Sequence, residues 1–208
     1  MTDINAAIRR NRTAHAPGER RIDPGLEGSA ERDRLLAFVE LLFFAYRDFT
    51  GESDVVLKEY GFGRAHHRVL HFVTRRPGLR VADLLDILKI TKQSLARVLK
   101  QLVDRGFIVQ EAGADDRRER RLHATERGRS LASRLRGLQT ARMALALDEA
   151  DAGAQATTMQ FLIALTAPAD RGAIVKQLIE NGLLSAPVAA GNRGLPRRSK
   201  PDPTGGMT

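Results

Sequence analysis

Between residues 113 and 128 the chain reads GADDRRERRLHATERG, with five arginines and four carboxylates around a Gly-Ala-Asp-Asp turn, before it changes into helix-forming sequence. Guanidinium groups at this density either solvate a surface or engage phosphate and carboxylate oxygens through forked, charge-assisted hydrogen bonds. Where the charge sits helps to separate the two. The formal net charge is +9. Residues 91–136 hold twelve Lys and Arg against six Asp and Glu, whereas residues 31–90 hold ten against nine. A second basic excess, four against one, lies in residues 181–208. One internal segment and one tail therefore carry the cationic surplus, which suits a polyanionic partner.

Other chemistries find less support. His67 and His71 stand four residues apart, a helical spacing that can place two imidazoles on one metal ion. Yet Arg68 lies between them, no acidic residue completes a His-Glu-x-x-His order, and neighbouring His66 adds no ligand pattern. Ordinary packing and surface roles are the simpler account, and no metal site is expected. The chain has no cysteine, which excludes disulfides, thiolate-bound zinc and thiol redox sensing. No nucleophile with its base, no paired carboxylates and no phosphate-binding glycine loop occurs at an interpretable spacing, so neither an enzyme nor a cofactor is expected. Leu35 to Phe44 is interrupted by Glu40, and no segment reaches the roughly 20 apolar residues of a membrane span. The first residues lack the apolar core of a signal peptide, so a cytoplasmic location without membrane association is expected.

The elements that position the arginines can be read from periodicity. Residues 1–30 are rich in Arg, Gly, Pro and Ala, and 185–208 are richer still in Pro and Gly; both are expected to be disordered basic extensions. The folded part spans 31–184 and should be mainly α with a small β element. A first helix over about 31–50 contains Leu35, Phe38, Val39, Leu42, Phe43 and Tyr46 around nearly its whole circumference. Such a helix must be buried on more than one side. Packing against a second copy of the chain accomplishes this, and the alternative is the central helix of a monomeric bundle. A second helix follows Gly61-Phe62-Gly63, turns Val69, Leu70 and Phe72 inward and stops at Pro77-Gly78.

Next, VADLLDILK and TKQSLARVLKQLVDRG each keep the i, i+3, i+4, i+7 apolar pattern, in Val81, Leu84, Leu85 and Leu88 and in Leu95, Val98, Leu99 and Leu102. Leu88 and Leu95 are seven apart, so one continuous helix is equally compatible with the spacing. Ile90 falling off the stripe and Thr91 as a candidate cap favour a break. Gly106 then ends the helix. FIVQE, the GADD turn and the arginine-rich return to Ala124 read as a β-hairpin with a charged tip. Thr125 caps a further helix with Leu131, Leu135 and Leu138 on its buried face, and two apolar helices follow around Pro168.

Helix, helix, hairpin and helix in this order resemble the MarR family of winged helix-turn-helix transcriptional regulators. The motif residues are Leu102, Gly106, Phe107 and Ile108, then Asp116, Arg117 and Arg118, then Ala124, Thr125 and Gly128. They follow the family's pattern, except that Ala124 replaces its usual Leu. The resemblance spans about 31–180, is firmest over 79–131, and puts the DNA-binding core at about 64–124. It implies a homodimer interlocked through N- and C-terminal helices, with Leu35, Phe38, Leu42, Phe161 and Leu178 at the dimer interface. It further implies double-stranded DNA as partner and a pseudo-palindromic operator. The helix beginning at Lys92 would enter the major groove with Lys92, Gln93, Ser94, Arg97 and Lys100 exposed; Gln93 suits adenine and Arg97 guanine, Lys92 and Ser94 phosphate. Arg118, oriented by Asp116, would take the wing-tip place in the minor groove, with Arg117, Arg120 and Arg121 either at phosphates or paired to Asp115 and Glu119.

Family members often hold small aromatic or anionic effectors between the dimerisation helices and the winged domain, a crevice that Tyr46, Arg47, Tyr60, His66 and His67 could border. Ordinary packing is the simpler account of each, so the effector stays open as a partner. The competing reading of the whole is a nonspecific architectural DNA-binding or protein-interaction winged-helix module.

Overall fold

The computed structural model describes residues 30–113 and 119–185. Both extensions, 1–29 and 186–208, and the tip residues Asp116, Arg117 and Arg118 lie outside the described residues. The chain divides into two compact units, residues 1–51 and 52–208.

Helix α1, Ala30–Glu59, runs about nine residues past the end that its periodicity predicts. Gly51 does not stop it: an interior glycine costs only about 1 kcal/mol, and the helix continues into a segment where Ser53, Val56 and Leu57 are buried. Thr50 Oγ1 donates back to the Tyr46 carbonyl at 2.8 Å. Along residues 35–46, Leu35, Phe38, Leu42, Phe43 and Tyr46 are all exposed.

In the second unit, α2 (Arg64–Arg75) buries Val69, Leu70 and Val73. Val73 takes the third inward place predicted for Phe72, which is half-buried, because the 69-70-73 spacing follows the helical repeat. Then come β1 (Leu79–Arg80), α3 (Val81–Leu88) and α4 (Lys92–Asp104). The break between α3 and α4 is real. Lys89 adopts φ 50° and ψ 44° and its N–H bonds to Leu85 O at 2.9 Å, a left-handed stop that non-glycine residues seldom take. The two-residue strand β1 was not anticipated. It is too short to show alternation and forms because Leu79 and Arg80 pair with the return strand of the hairpin.

That hairpin comprises β2 (Ile108–Ala112) and β3 (Arg120–Ala124), giving a three-stranded antiparallel sheet in the order β1-β3-β2. The register runs from Ile108 opposite Ala124 to Ala112 opposite Arg120, and Gly113 N–H donates to Glu119 O at 3.1 Å at the base of the tip. Helix α5 (Glu126–Asp148) follows at once. Two further helices, α6 (Ala154–Leu165) and α7 (Pro168–Glu180), follow among the described residues, Pro168 starting α7 where its missing N–H costs nothing. One apolar core joins α2, α3, α4, the sheet and α5 through Leu70, Leu84, Leu95, Leu102, Phe107, Ile108, Leu122 and Leu135. Leu138, predicted on the buried face of α5, packs at its margin. Among the described residues no helix is long and apolar enough to cross a membrane.

Candidate nucleic-acid interface

Thr91 ends the turn after Lys89 and caps α4: its Oγ1 accepts from Ser94 N–H at 3.1 Å and donates to Ser94 Oγ at 2.9 Å. This leaves the first turn of α4 at the surface. Leu95, Val98, Leu99 and Leu102 point into the core, so Lys92, Gln93, Ser94, Ala96, Arg97 and Lys100 are necessarily turned outward, and all six are exposed. Lys92 and Arg97 have no ion-pair partner among the described residues. Lys100 does, with Asp104 at 2.6 Å, so part of its charge is already met. The Ser94 hydroxyl is likewise engaged by the cap, which the sequence reading did not foresee.

Between α4, the start of α3 and the hairpin lies a cleft of about 900 Å³. Leu85, Ala96 and Leu99 make its apolar floor, with Lys92, Lys100 and Arg120 at the edges. Arg120 is exposed with no ion pair among the described residues, while Arg121 pairs with Glu119 at 3.3 Å, one of the two roles expected of it.

Two arrangements hold α4 and the hairpin to the core. His66 Nδ1 accepts from Gly63 N–H at 3.1 Å, so its other nitrogen carries the proton and donates to Gln101 Oε1, 2.6 Å away on α4. The ring stacks on Phe62 with centroids 4.6 Å apart. His66 thus ties α2 to α4. Tyr60 packs on Phe62 and edge-on to Phe107, and Arg47 pairs with Asp48 at 2.7 Å; packing and pairing occupy these effector-crevice candidates. At the other side of the hairpin, Thr125 Oγ1 donates to Gly106 O at 2.7 Å and accepts from Gly128 N–H at 3.1 Å, capping α5. Arg127 lies over the Phe107 ring, 4.4 Å from its centroid.

His67 and His71 are half-buried. Burial pushes the pKa of each below the ordinary histidine value; His71 is lowered further by His67, Arg136 and Arg75. Among the described residues no three His, Cys, Asp or Glu side chains gather as metal ligands. Arg80, which no motif singled out, is gripped by Asp83 at 2.6 and 2.8 Å and reaches Glu119 at 3.2 Å. Asp83 is held below the usual carboxylate value mainly by its hydrogen bonds from Arg80. Asp83 is three residues from Arg80, but Glu119 is 39 residues away and is brought in by the β1–β3 pairing.

The family model described as MarR family matches residues 60–119. Over 139 residues the chain is 45% identical to the HTH-type transcriptional regulator PetP of Rhodobacter capsulatus, an alignment covering 67% of this chain and 84% of PetP. The chain belongs to the MarR family. Its helix α4 is thereby the second helix of a winged helix-turn-helix and its hairpin the wing. Solved structures agree in fold. The transcriptional regulator SlyA superposes with a TM-score of 0.54 at 20% identity, covering 62% of this chain and 90% of that one. Streptococcus pneumoniae FabT in complex with DNA gives 0.58 at 17% identity, covering 71% and 98%. Ala124, the departure from the MarR pattern, is half-buried at the margin of the core.

Proposed function

We propose that this MarR-family regulator binds a pseudo-palindromic operator in double-stranded DNA as a homodimer, reading the major groove with the start of α4 and holding the minor groove with the wing. The supporting observation is the outward face of α4: five polar side chains, two of them cations without carboxylate partners among the described residues, next to a wing whose Arg120 likewise has no ion pair among them. Gln93 and Arg97 are assigned to bases, Lys92, Ser94 and Lys100 to phosphates. In the wing, Arg117 and Arg120 are assigned to phosphates and Arg118, oriented by Asp116, to the narrow groove. FabT, of like fold, was solved with DNA, which accords with this use of the fold.

Homodimerisation is assigned to α1 and the C-terminal helices. Leu35, Phe38, Leu42 and Phe161 are between 46% and 55% exposed, a density of uncovered apolar side chains that water-facing helices do not maintain; Leu178 is half-buried. A small-molecule effector and a cytoplasmic location accord with the family.

The test is direct. An operator selected from random duplexes should form an inverted repeat with half-sites about one helical turn apart, and should be bound roughly 10³-fold or more tighter than random DNA at physiological salt. Equal affinity for both would replace the regulator by an architectural, nonspecific DNA-binding module.

A further inference from the structure

Arg80 lines the cleft together with Lys92, Lys100 and Arg120, and a count of charges would class it as one more phosphate contact. Its hydrogen bonds say otherwise. Nε and Nη2 are taken by the two oxygens of Asp83, and Nη1 by Glu119 Oε1 at 3.2 Å. The second Glu119 oxygen receives Arg121 Nη2 at 3.3 Å, and the Glu119 carbonyl accepts from Gly113 N–H. Glu119 stands immediately before β3 and beside Arg120, on the side of the wing that faces α4 across the cleft. Arg80 itself is fixed twice more, as the residue preceding α3 and by pairing opposite Arg121.

We propose that Arg80 is a positioning residue, a strut from the start of α3 that grips Glu119 and so sets the angle at which the wing presents Arg120 to DNA. A hairpin is a soft ribbon when only its own ladder supports it. β2 is an edge strand and β1 meets β3 only opposite Leu122 and Arg121; beyond that pairing, the Arg80–Glu119 hydrogen bond ties the residue before β3 to the helix-turn-helix. Asp83 and Glu119 together neutralise Arg80, which makes it a poor phosphate ligand and a good brace. The inference rests on the proposed DNA-binding mode.

The sign of one substitution separates a brace from an ordinary charge. Glu119→Gln removes a negative charge beside DNA, so electrostatics alone makes operator binding tighter; loss of a brace makes it weaker. Affinity for the selected operator is measured across salt concentrations for the full chain, Arg80→Gln, Glu119→Gln, the double variant and Asp83→Asn, with unfolding midpoints in parallel. The expected result is a loss of about 3- to 10-fold for either single variant, no greater loss in the double, as coupled partners show, and a smaller loss for Asp83→Asn. Midpoints should change little, since exposed ion pairs contribute little stability. Equal or tighter operator binding by Glu119→Gln, or independent losses that multiply in the double variant, overturns the strut. If the unaltered chain fails to discriminate its operator, the DNA-reading proposal fails and the strut with it; if it discriminates while Glu119→Gln does so equally well, only the strut fails.

Discussion

Gly128 turns its bare Cα against the carbonyl of Phe107: a methyl built there would overlap the oxygen and stand 3.1 Å from the carbonyl carbon. The same carbonyl accepts the N–H of Thr125 at 3.1 Å, and the Thr125 hydroxyl accepts from the Gly128 N–H. The entry of α5 is thereby pressed onto the start of the wing with no room for a side chain. Gly128→Ala is expected to destabilise the fold by about 2–3 kcal/mol or more, as overpacking of backbone does, although alanine favours helices elsewhere. Urea unfolding of the two proteins measures it, and an alanine variant of equal or greater stability would remove the close approach.

Lys89 distinguishes a turn from a continuous helix. In a helix interior Ala is better than Gly by about 1 kcal/mol; at a left-handed residue the order reverses by a similar amount. Both Lys89→Gly and Lys89→Ala remove the exposed ion pair between Lys89 and Asp170, 3.3 Å, so that contribution cancels between them. The glycine variant should be the more stable of the two by about 1 kcal/mol in chemical denaturation.

Arg97 has no ion-pair partner among the described residues and stands outward on α4. Its replacement by alanine should cost about 1–3 kcal/mol on the selected operator and less on random duplex, since a base contact is lost along with a charge. Arg120→Ala should weaken both DNAs alike and make the salt dependence shallower by about one ion. Fluorescence anisotropy titrations over a range of salt report both quantities.

Two pH windows follow from the shifted groups. His67 and His71 have folded pKa values below the ordinary 6.5. The unfolded chain therefore takes up their protons first as pH falls, so their contribution is complete above that value and is lost as pH drops through it toward the lower folded pKa. Asp83 is likewise depressed, by Arg80, so its contribution is present above about pH 4 and is lost as pH falls further through its folded pKa. Unfolding free energy measured from pH 8 to 3 should fall first near neutrality, and His71→Gln should flatten that first decline without altering the second.

Leu35, Phe38 and Leu42 share one stripe of α1, at i, i+3 and i+7. Phe38→Glu with Leu42→Glu should leave a monomer by light scattering, because a charge placed in a dry interface costs more than the apolar contact it replaces. Operator affinity should drop by at least about tenfold, one winged unit having half the phosphate contacts. A dimer that survives both changes would move the interface away from α1.

Residue order alone set the helix periods, the capping threonines Thr91 and Thr125, the hairpin and the outward face of α4, because each depends on neighbours within one or two turns. It left open whether Leu88 and Leu95 belong to one helix, since a seven-residue spacing satisfies both answers; the left-handed Lys89 decides it. Helix α1 passed its predicted end because burial of Val56 and Leu57 outweighs the cost of Gly51, a balance that depends on distant partners. The Thr125–Gly128 spacing was visible, but that Gly128 faces the Phe107 carbonyl was not. The Arg80–Glu119 and His66–Gln101 bonds had no local signature at all, for Arg80 and Glu119 become neighbours only when β1 pairs with β3, and His66 and Gln101 only when α2 packs on α4. Local propensity writes the elements into the chain; contacts between residues remote in sequence exist only after those elements have packed.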